Sequence, residues 1–241
     1  MSISSHAGNP AAPRVTSAEA MYRAIVELGI VPFFENPVRG YSIEEMTPQE
    51  NWFDGDDIVR TPWDWKIESV QSGDIAYGKF LWGGKAAFAT VEWYRELMNY
   101  RRSLPKYKPD ASQQKILDYL AEHGSLGIKE VRGLLGVKKG PADAQIARLM
   151  MQCRVVTGDI TRVYRGEDLH YNGWQISSFC TPEALFETDD VPPDGLPSGF
   201  PFAAVSLKVS HSPEESYRRL AEHIRGIAPG ATDALIAKML G

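Results

Sequence analysis

The most regular hydrophobic pattern of the chain lies between residues 111 and 180. Apolar residues recur there at helical spacing in three stretches, and two stretches rich in strand-forming residues follow. The predicted elements are helices over 113–123, 128–135 and 141–152, strands over 154–160 and 174–179, and a charged loop over 164–172. Helix, short helix, turn, helix, strand, loop and strand is the order of a winged helix-turn-helix. The pattern therefore predicts a winged helix domain over residues 111–180.

A different pattern occupies the N-terminal part, residues 17–102, which is rich in aromatic residues. Thr16 and Glu19 have the spacing of a capping box, which predicts the start of a helix. The predicted elements are a helix over 17–28, strands with glycine turns within 63–88, and a helix over 91–100. This part is also compatible with a degenerate second winged helix whose hairpin is residues 67–88, which would make the architecture tandem.

The segment SLPKYKPD, residues 103–110, is the clearest predicted domain boundary because its two prolines and its charged residues interrupt the helical pattern. The predicted fold class is α+β, with the winged helix between the aromatic-rich N-terminal part and a helical tail. The remaining segments are a disordered leader over 1–16 and a C-terminal tail over 181–241, with a short strand over 202–210 and helices over 213–227 and 232–240.

Composition is that of a soluble globular protein, since 43% of the 241 residues are hydrophobic and 24% are charged. No apolar run approaches the roughly 18 residues of a membrane span, and no secretory signal pattern is present. Cys153 and Cys180 are expected to be reduced core thiols of a cytoplasmic protein. Neither metal-ligand spacing nor a nucleotide-binding motif occurs, so we expect no metal and no cofactor.

Charge is distributed unevenly along the chain. Residues 95–154 carry 12 Lys or Arg against 6 Asp or Glu, whereas the segments on both sides are acidic and the formal net charge of the chain is −5. A basic centre of this kind suits a surface that faces phosphates. It suits equally well a surface that contacts the acidic flanks of the same chain, and the sequence leaves both interpretations open.

The predicted third helix provides candidate nucleic-acid contacts. Gln145, Arg148 and Gln152 share one face of that helix, and Gln and Arg side chains are suited to contact base edges in the major groove. The full candidate set adds cations before the helix, in the wing and before the linker: Lys138, Lys139, Arg162, Arg165, Arg101 and Arg102. A solvated helix face, or a winged helix that binds other proteins, would show the same residue types.

The stretch PWDWK, residues 62–66, begins a region with eight aromatic residues between positions 63 and 94. Such density is typical of a hydrophobic core, but charged residues among the rings also suit a pocket for a flat ligand. The candidate pocket residues are Trp63, Asp64, Trp65, Lys66, Tyr77 and Lys79. In a strand, Trp63 and Trp65 would share the buried face while Asp64 pointed away, free to pair with Lys79 or Arg102.

Several segments resemble the AlkZ-related proteins, a bacterial family named for its similarity to AlkZ-type alkylpurine DNA glycosylases. The segments are RGYSIEEMTPQENWF, PWDWK, AYGKF followed by GGKAAF, EWYRELMNYRR, ARLMMQCRVV and YNGWQISSFCTPEALF. The resemblance implies a winged-helix architecture and a link to nucleic acid. AlkZ-type glycosylases share a Gln-x-Gln motif that positions a catalytic water, and no such motif occurs here, so no catalytic residue is carried over.

We therefore expect a winged-helix protein that binds nucleic acid, with double-stranded DNA as its partner, without a recognisable catalytic motif. Self-association into a homo-oligomer is included in this expectation. One alternative is a glycosylase-like enzyme that handles a base near Asp64, for which a carboxylate pair would come from Asp54, Asp56, Asp57, Asp64 or Glu68. The other is a winged helix that binds proteins.

Overall fold

The computed structural model describes residues 13–53, 61–187 and 206–241. The helices are α1 (Ala18–Leu28), α2 (Ile43–Met46), α3 (Glu50–Phe53), α4 (Pro62–Gln71), α5 (Val91–Ser103), α6 (Ala111–His123), α7 (Ile128–Leu135), α8 (Lys139–Met151), α9 (Pro182–Phe186), α10 (Pro213–Ile227) and α11 (Asp233–Leu240). The strands are β1 (Ile30–Pro32), β2 (Ile75–Leu81), β3 (Lys85–Thr90), β4 (Ser125–Gly127), β5 (Val156–Arg165) and β6 (His170–Cys180).

The α+β fold class is confirmed, with two three-stranded antiparallel sheets in the orders β1-β3-β2 and β4-β6-β5. Of the predicted leader over 1–16, residues 1–12 lie outside the described part of the chain, as do Asp54, Asp56 and Asp57. The sequence predicts a strand over residues 202–210. Residues 206–210 do not form a strand, and residues 202–205 lie outside the described part of the chain.

Helix α1 carries the N-terminal core on one face, through Met21, Ile25 and Leu28. Its cap differs from the predicted one, because Ser17 rather than Thr16 accepts the hydrogen bond from a backbone N–H of the first turn, at 3.1 Å. The helix ends where the sequence predicts.

Residues 62–71 form helix α4, so the predicted strand geometry of PWDWK is wrong. Pro62 lies in the first turn, where its missing N–H removes no helical hydrogen bond. The aromatic and β-branched residues of this segment favour strands in isolation. Because α4 packs against both α1 and β5, it is buried on more than one side, and that burial hides the one-sided pattern that identifies a helix.

Residues 111–180 fold in the order α6, β4, α7, α8, β5, β6, around a core that includes Ile116, Val131 and Leu149. The predicted loop over 164–172 is shorter than expected because the strands continue into it, pairing Tyr164 with Tyr171. Backbone pairing in a hairpin does not require apolar side chains, so the polar composition of this region concealed its strands. The short strand β4 was not predicted.

This segment packs against the N-terminal sheet. The backbone N–H of Lys79 in β2 lies 3.3 Å from the sulfur of Met150 in α8. Gly78 allows that approach, because a Cβ atom at this position would come within 3.3 Å of the same sulfur. On the neighbouring helix α4, the Gln71 amide donates to the Asp159 carboxylate of β5 at 3.0 Å. The hairpin and α8 therefore both lie against the N-terminal part.

The C-terminal helix α10 packs on α5 around a buried carboxylate. Glu96 is fully buried, and it accepts a hydrogen bond from the Ser216 hydroxyl at 2.6 Å. The His211 Nε2 atom lies 2.7 Å from the same carboxylate, and the Arg219 guanidinium lies 3.3 Å from it. This cluster compensates the buried charge and fixes the position of α10. No described helix is long and apolar enough to cross a membrane.

Candidate nucleic-acid interface and the Asp64 network

Three cations lie at the start and on the outer face of α8. Lys138 is the N-cap residue and Lys139 the first helical residue, and Arg148 follows in the last turns of the helix. All three are exposed, and none forms an ion pair with a carboxylate in the described part of the chain. The backbone N–H groups of a helix N-terminus also favour anions. The arrangement can therefore accept phosphate groups.

The two glutamines of the predicted base-contacting face form hydrogen bonds within the protein. The Gln113 side-chain amide of α6 donates to Gln145 at 3.0 Å, and Gln152 donates to the Gln113 carbonyl oxygen at 2.8 Å. Gln152 is buried and Gln145 is half-buried. These amides join α6 to α8, so Gln152 is not available to a ligand and Gln145 is only partly so.

Arg101, a predicted nucleic-acid contact, is fully buried and is not available either. Its guanidinium donates to the Leu240 carbonyl at 2.8 Å and to the Met151 carbonyl at 3.0 Å. These carbonyls lie at the C-terminal ends of α11 and α8, where cations are favoured by unsatisfied carbonyl groups and by the helix dipole. Arg101 therefore ties two helix ends together.

Arg102 has a similar internal role. Its guanidinium donates to the Cys153 carbonyl oxygen at 2.7 Å and pairs with Glu183 at 2.5 Å. Burial by itself would raise the pKa of Glu183, but the hydrogen bond and the charge of Arg102 hold that pKa below its usual value. Arg102 links the end of α8 to α9, so the prediction that it contacts nucleic acid is not supported.

Asp64 lies at the centre of a network between α4 and the β5–β6 hairpin. Its carboxylate is 1% exposed and accepts two hydrogen bonds from Arg162, at 3.0 Å and 2.6 Å. The Tyr171 hydroxyl donates to it at 2.8 Å. The Gln175 amide in turn donates to the Tyr171 oxygen at 2.9 Å and to the Trp63 carbonyl at 3.0 Å. Burial raises the pKa of the Tyr171 hydroxyl above its ordinary value, so the protonated form that donates this hydrogen bond is favoured further.

This network corrects two predictions. Asp64 points into the structure rather than away from it, because α4 is a helix, and it pairs with Arg162 rather than with Lys79 or Arg102. Arg162 is consequently held by a buried partner rather than being a free cation of the wing. Tyr171 was not predicted to take part. Period-two alternation places it on the same face of β6 as Gln175, but nothing in the sequence pairs that face with Asp64.

The predicted pocket does not form as one site. Trp65 is buried in the core, whereas Trp63 is 41% exposed and packs edge-on against Trp52. Lys66 donates to the Trp63 carbonyl at 2.8 Å, and burial lowers its pKa to about 8. Tyr77 instead lines a separate cavity.

That cavity has a volume of about 240 Å³ and lies between β2, α8 and the hairpin. Tyr77 and Lys79 line it together with Asp143, Met150 and Phe179. Residues 63–66 do not line it, so the two halves of the predicted pocket belong to different surfaces. No group of three His, Cys, Asp or Glu residues suitable for a metal ion occurs among the described residues.

The outer face of the hairpin carries the last predicted contact, Arg165. Its guanidinium lies 4.9 Å from the centre of the Trp174 ring, and Trp174 is 58% exposed. Contacts of this geometry are cation–π interactions. Of the predicted nucleic-acid contacts, Arg165 thus joins the cations of α8 as a side chain at the surface.

A family model described as AlkZ related matches residues 15–241, almost the whole chain. No curated protein and no solved structure matches it.

Proposed function

The chain belongs to the AlkZ-related family, and from that premise we propose that it binds double-stranded DNA through residues 111–180 folded as a winged helix. The order α6, β4, α7, α8, β5, β6 and the sheet order β4-β6-β5 support this proposal. In such a domain the third helix, here α8, is the helix that enters the major groove.

The observation that carries the proposal is the unpaired charge of α8. Lys138, Lys139 and Arg148 are exposed and have no carboxylate partner within the described ranges. By contrast, Arg101, Arg102 and Arg162 of the predicted set all have internal partners. Cations without partners are free to replace the counterions of phosphate groups, which is the main source of affinity for DNA.

Contacts with the DNA backbone are the main role of these side chains. Because Gln113 holds both Gln145 and Gln152, the face of α8 offers few groups for base-edge hydrogen bonds, and Arg148 is the one predicted base contact that stays exposed. We infer that binding depends mainly on backbone charge and only weakly on duplex sequence.

A glycosylase-like role centred on Asp64 has less support. A carboxylate that acts on a base must be able to reach it, whereas Asp64 is buried and engaged by Arg162 and Tyr171. The proposal therefore assigns DNA binding and no catalytic residue. If the winged helix bound proteins instead, its third helix would be expected to be covered by another part of the chain or by a second subunit. Strand β2 does cover the face of α8 that carries Met150, but the cations of α8 lie elsewhere on the helix.

Fluorescence anisotropy with a short labelled DNA duplex tests the proposal. Affinity is expected to fall steeply as salt rises from about 50 to about 200 mM, because neutralised phosphates release counterions. The double variant Lys138→Ala with Lys139→Ala should reduce the slope of log affinity against log salt by about 2. Lys208→Ala removes an exposed cation outside the 111–180 segment and should leave the slope unchanged.

Two results would contradict the proposal. One is the absence of binding at low salt, and the other is binding that salt does not weaken. Binding that is equally affected by Lys208→Ala and by the double variant would show attraction by overall charge rather than by the surface of α8.

A further inference from the structure

The outer face of the β5–β6 hairpin is the most exposed apolar surface in the described part of the chain. Two large apolar side chains of this face are more than half exposed, Trp174 at 58% and Ile176 at 60%. Leu169, 69% exposed, lies in the adjoining turn, and Tyr164, 54% exposed, pairs with Tyr171 on the opposite face. Large exposed apolar groups that lie together usually mark an interaction site.

The inner face of the same hairpin packs against α4, so the outer face is exposed to solvent. Residues of β6 alternate in exposure, so that Tyr171 and Gln175 turn towards α4 while Trp174 and Ile176 turn towards solvent. Two hydrogen bonds from Arg162 to Asp64 hold the inner face in place. The outer face is thus presented on a rigid support, and a ligand that binds it spends little free energy on ordering the hairpin.

The chemistry of this face suits a nucleobase better than an apolar partner. Arg165 lies over the Trp174 ring and forms no ion pair with a described residue, and His170 pairs with Arg165 across the two strands. The hairpin carboxylates Glu167 and Asp168 lie in the turn between the strands. An exposed indole with a guanidinium over its ring, and no carboxylate paired with that guanidinium, combines a stacking surface for a base with a charge for its phosphate.

We propose that Trp174 and Arg165 form a stacking platform for an unpaired base, so that the preferred substrate class is DNA containing unpaired or unstacked nucleotides. This inference rests on the proposed DNA binding and adds a substrate preference to it.

The test compares a labelled duplex with the same duplex carrying a short unpaired bulge. Wild-type protein should bind the bulged DNA more tightly. Trp174→Ala should weaken binding to the bulged DNA about tenfold, or about 1.4 kcal/mol, and change binding to the intact duplex by less than about twofold. Trp174→Phe is the matched control, since it keeps an aromatic ring and should keep most of the preference. Because Trp174 is exposed, unfolding midpoints of all three proteins should agree.

The outcomes separate this inference from the proposed function. Equal binding of both DNAs, unchanged by Trp174→Ala, overturns the platform and leaves duplex binding supported. Absence of binding to either DNA overturns both. Sedimentation of the same variants gives the remaining outcome: if Trp174→Ala converts a dimer to a monomer without altering the preference for bulged DNA, the face joins two copies of the chain and the platform is overturned.

Discussion

The pairing of Asp64 with Arg162 leads to a prediction about which partner is costlier to remove. The carboxylate is 1% exposed, whereas the side chain of Arg162 is 27% exposed. Arg162→Met leaves a buried charge with the Tyr171 hydroxyl as its remaining donor in the network. Asp64→Ala instead leaves a guanidinium that already touches solvent. The first variant should therefore be the less stable one.

The magnitudes follow from the same contacts. Removing one partner of a buried ion pair costs about 3–5 kcal/mol, and we expect about 3 kcal/mol for Arg162→Met because Tyr171 still donates. Asp64→Ala loses three hydrogen bonds to the carboxylate, two from Arg162 and one from Tyr171, but leaves no buried charge unpaired, so we expect about 1–2 kcal/mol. The double variant Asp64→Ala with Arg162→Met should lose less unfolding free energy than the two single losses added together, since the two side chains interact directly.

Urea unfolding followed by circular dichroism measures these free energies, and hydrogen exchange of the hairpin amides locates the loss. Gln71→Ala is the control, because it removes a different contact between α4 and β5, to Asp159. It should cost about 1 kcal/mol. The reasoning is refuted if Asp64→Ala destabilises the protein as much as Arg162→Met, or if both leave the midpoint unchanged.

Three further predictions concern the core and α4. Trp65→Ala should cost about 3–5 kcal/mol of unfolding free energy as a core truncation, and Trp63→Ala clearly less because that ring is 41% exposed; thermal melts that rank them the other way would contradict this. Gly29→Ala should destabilise strongly, since φ is +70° and the new Cβ would lie 2.3 Å from Trp93; an unchanged midpoint would contradict it. Burial lowers the pKa of Lys66 to about 8 in the folded state, so between about pH 8 and about pH 10 the folded state binds fewer protons than the unfolded state. The free energy of unfolding, measured relative to Lys66→Met, should therefore rise across this range. Urea unfolding at several pH values would detect the rise, and a difference that does not change with pH would refute the prediction.

Local signals in the sequence determined most of the elements. Gly124 and Gly136 were predicted to end two helices, and they do so with φ of +77° and +65°, which glycine adopts readily. The predicted helix over 213–227 matches α10 residue for residue, with Ser212 as its cap and proline in its first turn. Such signals act within a few residues of the chain, so they can be recognised without knowing what packs nearby.

The tertiary structure decided the rest. The residues of α4 favour strands locally, but packing between α1 and β5 stabilises them as a helix. These packing partners lie far from α4 in the sequence. The same holds for Asp64 with Arg162, and for Gln113 with Gln152, whose side chains are far apart in the sequence and meet only in the tertiary structure. Composition could count the cations of the basic centre, but whether each faces solvent or a carbonyl group depends on packing. The cations that stay at the surface are those without internal partners, because burying a charge without a compensating partner is costly.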